Sequence, residues 1–149
     1  MGELSAGILG NDTGNSITLP AAVENIGKIT AFVEGKLEER DCPLKKTMEI
    51  SMAVDEIMAN VAMYAYAPGT GDVTVQFGFE EASRTASVTF IDGGVAFDPL
   101  AKEDPDIRLA ADEREIGGLG IFMTKKIMDD VTYTYKDGQN ILTLKKNLV

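Results

Sequence analysis

Glu56 and Asn60 stand four residues apart in the run AVDEIMANVAMYAY, a spacing that puts two side chains on one face of a helix. The carboxylate can take a proton from a hydroxyl or a water. The amide oxygen can ligate Mg²⁺ without adding charge beside a polyphosphate. Taken alone, the pair is equally a solvated Glu and an Asn on a helix flank. Downstream, IDGGVAFDP places Asp92 at the end of an alternating apolar segment, ahead of Gly93 and Gly94, which permit close backbone approach. That arrangement suits a contact to the edge of a nucleobase, and by itself it also reads as a plain Asp-Gly-Gly turn. A third run, Gly117-Gly118-Leu119-Gly120, opens a helical pattern. Unsatisfied N–H groups and the macrodipole attract anions there, and glycines let a phosphate come close. The same glycines would also serve a loop hinge.

The composition removes much other chemistry. The chain has no histidine, so imidazole acid–base catalysis, His–Zn ligation and phosphohistidine intermediates are excluded, and any catalysis rests on carboxylates, amides, hydroxyls or backbone. Its one cysteine, Cys42, has no partner for a disulfide or a thiolate metal site, which suits a reducing compartment and gives a cytoplasmic expectation. With 24 acidic and 14 basic residues the net charge is −10. Phosphate backbones and anionic lipids are repelled by such a surface, and a basic protein surface is the better partner. No apolar run reaches about 18 residues and no basic residue precedes Lys28, so neither a membrane helix nor a secretory signal is expected. Ala6 stands where a myristoylation motif after Met1-Gly2 wants Ser or Thr. There is no Walker A string, and Gly118-Leu119-Gly120 lacks the third glycine of the Rossmann fingerprint.

The elements that must position these residues follow from apolar period. Residues 1–15 mix Gly, Ser, Asn and Asp and read as a flexible arm, leaving 16–149 as a single domain. A strand over Ser16–Leu19 meets Pro20, where a helix carrying Val23, Ile26, Ile29, Val33 and Leu37 begins and runs to near Arg40. Pro43 opens a second helix with the stripe Ile50, Val54, Ile57, Val61, stopped by Pro68-Gly69. Glu56 and Asn60 lie about 60–100° round from that stripe, at the edge of the core. Period two then takes over, with Val73, Val75, Phe77 and Phe79 in one strand and Ala86, Val88 and Phe90 in the next. The charged stretch from Leu100 to Ile116 is too long for an ordinary connection and reads as a lid. A third helix beyond Gly118 carries Leu119, Met123 and Ile127, and a hairpin turns at Asp137-Gly138 between Val131–Lys136 and Ile141–Lys146. The class is α+β: a two-layer sandwich, a mixed and mostly antiparallel sheet with helices on one face.

The Glu…Asn pair, the strand-end Asp with its glycines, the charged lid and the glycine-rich helix start occur in the order of the N, G1 and G2 boxes of the GHKL ATPases. From about Ser16 onward the chain resembles that superfamily. More narrowly, AVDEIMANVAMYAY, DGGVAFDP and GGLGIFMTKKIMDDVTY resemble the stand-alone anti-sigma-factor serine/threonine kinases. The resemblance implies a Bergerat-type fold binding ATP and Mg²⁺, with Glu56 as general base and Asn60 as metal ligand. It makes Asp92 the adenine contact, and Gly94, Ala96, Phe97, Gly117, Gly118, Leu119 and Gly120 the nucleotide cradle. It implies a STAS-domain antagonist as substrate, a sigma factor that the same domain can sequester, and, as in relatives that dimerise, a second copy of the chain. Two positions depart from the pattern: Tyr64 stands where many relatives have His, and Ala96 where the wider superfamily often has a third glycine. Met52 and Met63 lie near Glu56 and Asn60 and read either as core filler or as walls of an adenine pocket. Retention of both Glu56 and Asn60 favours an enzyme over the alternative, an ATP-gated binding module without transfer. Histidine autophosphorylation is excluded in cis.

Overall fold

The computed structural model describes residues 14–101 and 118–149. Residues 1–13 of the expected arm over 1–15, residues 102–116 of the expected lid, and Gly117 lie outside the described residues. Five strands form one sheet in the order β1-β2-β3-β5-β4: β1 Ser16–Pro20, β2 Asp72–Glu80, β3 Thr85–Asp92, β4 Asp130–Lys136 and β5 Gln139–Asn147. Every pairing is antiparallel, more uniform than the mixed sheet expected. Three helices, α1 Ile26–Glu38, α2 Leu44–Asn60 and α3 Gly118–Ile127, cover one face, with α2 packed against both α1 and α3.

Strand period builds the two faces. Val73, Val75 and Phe77 of β2, Ala86, Val88 and Phe90 of β3, and Leu142 and Leu144 of β5 are buried under the helices. The opposite face carries threonines joined through their hydroxyls, Thr18 to Thr74 at 2.8 Å and Thr89 to Thr143 at 2.9 Å. The same alternation has a consequence at the strand ends. It brings Asp92 of β3 and Asn140 of β5 onto the buried side, in the phase otherwise held by apolar residues. Leu144 has no exposed surface, so Leu144→Ala is expected to cost about 2–5 kcal/mol, read by chemical denaturation.

Three expectations about the helices need correction. Pro20 does not open α1. It ends β1, where an edge strand tolerates its missing N–H, and a 3₁₀ turn over Val23–Asn25 intervenes, pinned by Asn25 donating to the Pro20 carbonyl at 2.8 Å. Val23 is therefore 68% exposed and off the stripe, which runs from the half-buried Ile26 through Ile29, Val33 and Leu37 to the helix end at Glu38. In α2, Ile50, Val54 and Ile57 are buried as the period predicts. After Asn60, however, the helix widens into a π turn over Val61–Ala65, and Val61 is only half-buried. In α3, Thr124 is buried and Ile121 and Ile127 pack against the core, with Gly120 against α2 and Met128 buried just past the helix end, whereas the expected Met123 is 44% exposed. The close approach of Gly120 to α2 turns this side of the helix inward. The hairpin turns as expected, with Asp137 at φ 54° and Gly138 at φ 78°, the left-handed pair of a type I′ turn. No helix of the described residues is long and apolar enough to cross a membrane.

Candidate functional site

The π turn brings the end of α2 against the segment that follows β3. Ala65 accepts from the Val95 N–H at 2.8 Å, and Gly94 lies so close to the Ala65 backbone that any Cβ there would overlap its carbonyl. Only glycine fits, which gives the second residue of the Gly93-Gly94 pair its physical reason. Tyr66 completes the junction: its hydroxyl donates to the Asp72 carbonyl at 2.6 Å and accepts from the Gly93 N–H at 2.7 Å. Burial raises the Tyr66 phenol above its ordinary range, with the Gly93 bond opposing it. π turns of this kind are common at functional sites, and the α-helical period of the sequence gives no sign of one.

Between this junction and the ends of β3, β4 and β5 lies a cleft with about 440 Å³ of empty space, open to solvent. Its walls are mostly apolar. Ile57, Val61 and Val95 contribute, and Tyr64 and Phe97 face each other with ring centroids 5.7 Å apart and planes at 33°. Asn60, Asp92 and Asn140 supply polar atoms. An apolar cleft with a few convergent polar groups is the usual form of a small-molecule site. Asp92 is only 5% exposed. Its Oδ1 accepts from the Gly94 N–H and from the Asn140 amide, each at 2.9 Å, whereas Oδ2 accepts nothing from the described residues.

One turn before Asn60, Glu56 is half-buried with α3 against it. A Cβ at Gly120 would overlap its carboxyl carbon and both oxygens. Loss of water raises the Glu56 pKa above the ordinary 4.5, and a weak bond from the Asn60 amide to Oε2, at 3.4 Å, pulls it back in part. Asn60 Oδ1 accepts no hydrogen bond from the described residues. Among those residues no group of three His, Cys, Asp or Glu side chains could hold a metal ion. A single amide oxygen at the cleft fits Mg²⁺ held mainly by phosphates and water.

The structure brings Glu56, Asn60, Asp92, Gly94, Phe97 and Gly120 into one region, with Gly118 and Leu119 in the first turn of α3. It does not bring in Ala96, which is exposed and off the cleft. Met52 and Met63, 59% and 50% exposed, neither fill the core nor wall the cleft. Both point outward because the inward positions of α2 are taken by its stripe and the π turn shifts the phase after Asn60. Tyr64, at the departure from the His pattern, is a wall of the cleft. Asn140, Tyr133 and Tyr66 were missed from sequence. A polar residue at a strand start, in phase with Leu142 and Leu144, is the signal that could have found Asn140.

A family model described as histidine kinase-like ATPase domain matches residues 19–146. The serine/threonine-protein kinase BtrW of Bordetella bronchiseptica is 27% identical over 95 residues, 64% of this chain and 66%, just under two thirds, of that protein. The serine-protein kinase RsbW of Bacillus cereus is 25% identical over 131 residues, 85% of this chain and 81% of that one. Among solved structures, the RsbU and RsbW domains of Rv1364c from Mycobacterium tuberculosis match with a TM-score of 0.62 and 17% identity, over 89% of this chain and 32% of that one. The blue-light activated histidine kinase EL346 of Erythrobacter litoralis matches with a TM-score of 0.55 and 16% identity, over 72% of this chain and 32% of that one. At those identities the two structures bear on the fold alone. With an antiparallel sheet under three helices, and a family model matched from β1 to β5, the chain belongs to the histidine kinase-like ATPase domain family.

Proposed function

We propose that this chain is an ATP-dependent serine/threonine protein kinase of the anti-sigma-factor type, which regulates a sigma factor by phosphorylating a STAS-domain antagonist and can also sequester the sigma factor. Its single domain is taken as 16–149 with the lid over about 100–116, and its compartment as the cytoplasm. One observation carries the nucleotide reading: a buried carboxylate, Asp92, keeps one oxygen without a donor among the described residues at an apolar cleft. Left so, a buried acceptor costs about 1–3 kcal/mol, a cost that a ligand's donor removes. The kinase names of the two relatives support the direction of the chemistry.

In this reading the base lies in the cleft against Tyr64 and Phe97 with its amine on Asp92, and the phosphates run toward Asn60 and the first turn of α3. Gly118, Leu119 and Gly120 supply backbone N–H groups there. Bound Mg²⁺ would neutralise charge building on the phosphates, with Asn60 Oδ1 as its protein ligand. Glu56 takes the proton of a serine or threonine hydroxyl as that oxygen bonds to the γ-phosphorus; the bond from phosphorus to the β–γ bridging oxygen breaks, and ADP leaves with the electron pair. Partial burial keeps the Glu56 carboxylate basic enough for that task.

Incubation with labelled ATP, Mg²⁺ and a candidate STAS-domain protein is the deciding assay. Label on serine or threonine is the expected result. ATP binding with no transfer would make the chain an ATP-gated binding module instead. The base reading has its own check in Asp92→Asn. A carboxylate only accepts, so it suits adenine's amine and opposes guanine's carbonyl at the same place. ATP is expected to bind roughly ten- to several-hundred-fold more tightly than GTP. The amide introduced by Asp92→Asn, able to turn its donor outward, should weaken ATP and narrow the gap in calorimetric titrations. Equal wild-type affinities for the two nucleotides would remove Asp92 from the base edge.

A further inference from the structure

Asn140 belongs to none of the motifs, yet its side chain spends every hydrogen-bonding capacity it has on the cleft. The β3–β5 register sets it directly opposite Asp92, so both side chains rise from the same face about 5 Å apart. Nδ2 donates to Asp92 Oδ1 at 2.9 Å and to the Val95 carbonyl at 2.8 Å. Oδ1 accepts from the Phe97 N–H at 3.1 Å and from the Tyr133 hydroxyl. An amide has two donors and two lone pairs, and all four are engaged. Its orientation is thereby settled, with the nitrogen between two acceptors and the oxygen facing a backbone donor.

We propose that Asn140 is a positioning residue that sets the purine selectivity of the cleft by fixing which oxygen of Asp92 is left for the base. The inference rests on the nucleotide reading above and deepens it. Two donors, Asn140 Nδ2 and the Gly94 N–H, hold Oδ1, and the carboxylate cannot turn without breaking both. Oδ2 is then the oxygen of this carboxylate that accepts from none of the described residues, held in a fixed direction. The same amide ties down Val95 and Phe97, so the wall that meets the face of the base and the oxygen that meets its edge keep a constant separation. Without Asn140 the Gly94 N–H alone holds Oδ1, and the carboxylate can swing about that single bond off the base edge. ATP then loses its acceptor, and GTP loses the oxygen that opposes its carbonyl, so the preference collapses from both sides.

Calorimetric titration of ATP and GTP into wild type, Asn140→Ala, Asn140→Leu and Thr143→Val tests this. Asn140→Ala should weaken ATP by about tenfold and bring the ATP-to-GTP affinity ratio near one. Asn140→Leu, isosteric but without a donor for Asp92, should do the same and carries the test if the alanine variant does not fold. Thr143→Val, on the opposite face of β5 where its hydroxyl meets that of Thr89 at 2.9 Å, should keep the wild-type ratio. In transfer assays the Asn140 variants should raise the KM for ATP while kcat at saturating ATP holds. A folded Asn140 variant with the wild-type ratio overturns the proposal, as does a Thr143→Val protein that loses the ratio as fully as Asn140→Ala. Wild type that binds neither nucleotide overturns the nucleotide reading and this inference with it, whereas wild type that prefers ATP beside an unchanged Asn140 variant overturns this inference alone.

Discussion

Glu56→Gln is expected to lower phosphoryl transfer by about 10²–10⁴ while ATP binding stays within a few-fold of wild type. The amide keeps the shape of the carboxylate and cannot accept the proton of the attacking hydroxyl, and that range is the usual contribution of a positioned base. The pH profile gives a second readout. Burial raises the pKa of Glu56 above 4.5. A base works only in its deprotonated form, so transfer should fall as pH drops through that raised value, at higher pH than an ordinary exposed carboxylate would show. The residual activity of Glu56→Gln should lack this acid limb. Single-turnover transfer at saturating ATP, measured across pH, checks both statements. A mutant that transfers at the wild-type rate removes Glu56 from the mechanism.

Much of the framework needed for that chemistry was legible because it is written in period. The switch from helical spacing at Ile50, Val54 and Ile57 to alternation at Val73, Val75 and Phe77 marks the passage from α2 to β2, and Asp137-Gly138 names its own turn. The three ordered motifs carried the family resemblance that the family model confirms. What escaped depends on contacts between distant segments. Nothing local distinguishes the α-helical Asn60 from the π turn at Val61–Ala65, which exists because Ala65 must meet Val95 and Gly94. Met52 and Met63 were read as packed because methionine is apolar, but their direction is set by the phase of α2 and by the change of pitch after it. Asn140 looks like a turn residue until the β3–β5 register puts it opposite Asp92. The outward turn of Val23 likewise follows from Pro20 completing an edge strand.

The close approach of α3 to α2 leads to the second large effect, Gly120→Ala. In the G2-like run, Gly120 invites the idea of room for a phosphate. In the structure, its missing side chain is the space that the Glu56 carboxyl group occupies. A methyl group there overlaps only the far end of a long side chain, so the carboxylate should swing aside while both helices stay in place. Alanine also favours a helix over glycine by about 0.5–1 kcal/mol, which offsets part of the cost of that displacement. Stability, read by denaturant titration, should therefore change by no more than about 1 kcal/mol. Transfer should suffer far more, since moving a catalytic group by about 1 Å can cost 10²-fold. Shortening the side chain in the Gly120→Ala, Glu56→Asp double variant makes room for the methyl group, and the double variant should transfer faster than the product of the two single effects allows. Comparison of the four proteins in one transfer assay decides it. If Gly120→Ala alone keeps the wild-type rate, the packing of α3 does not set the position from which Glu56 works, and Gly120 acts only through the phosphates.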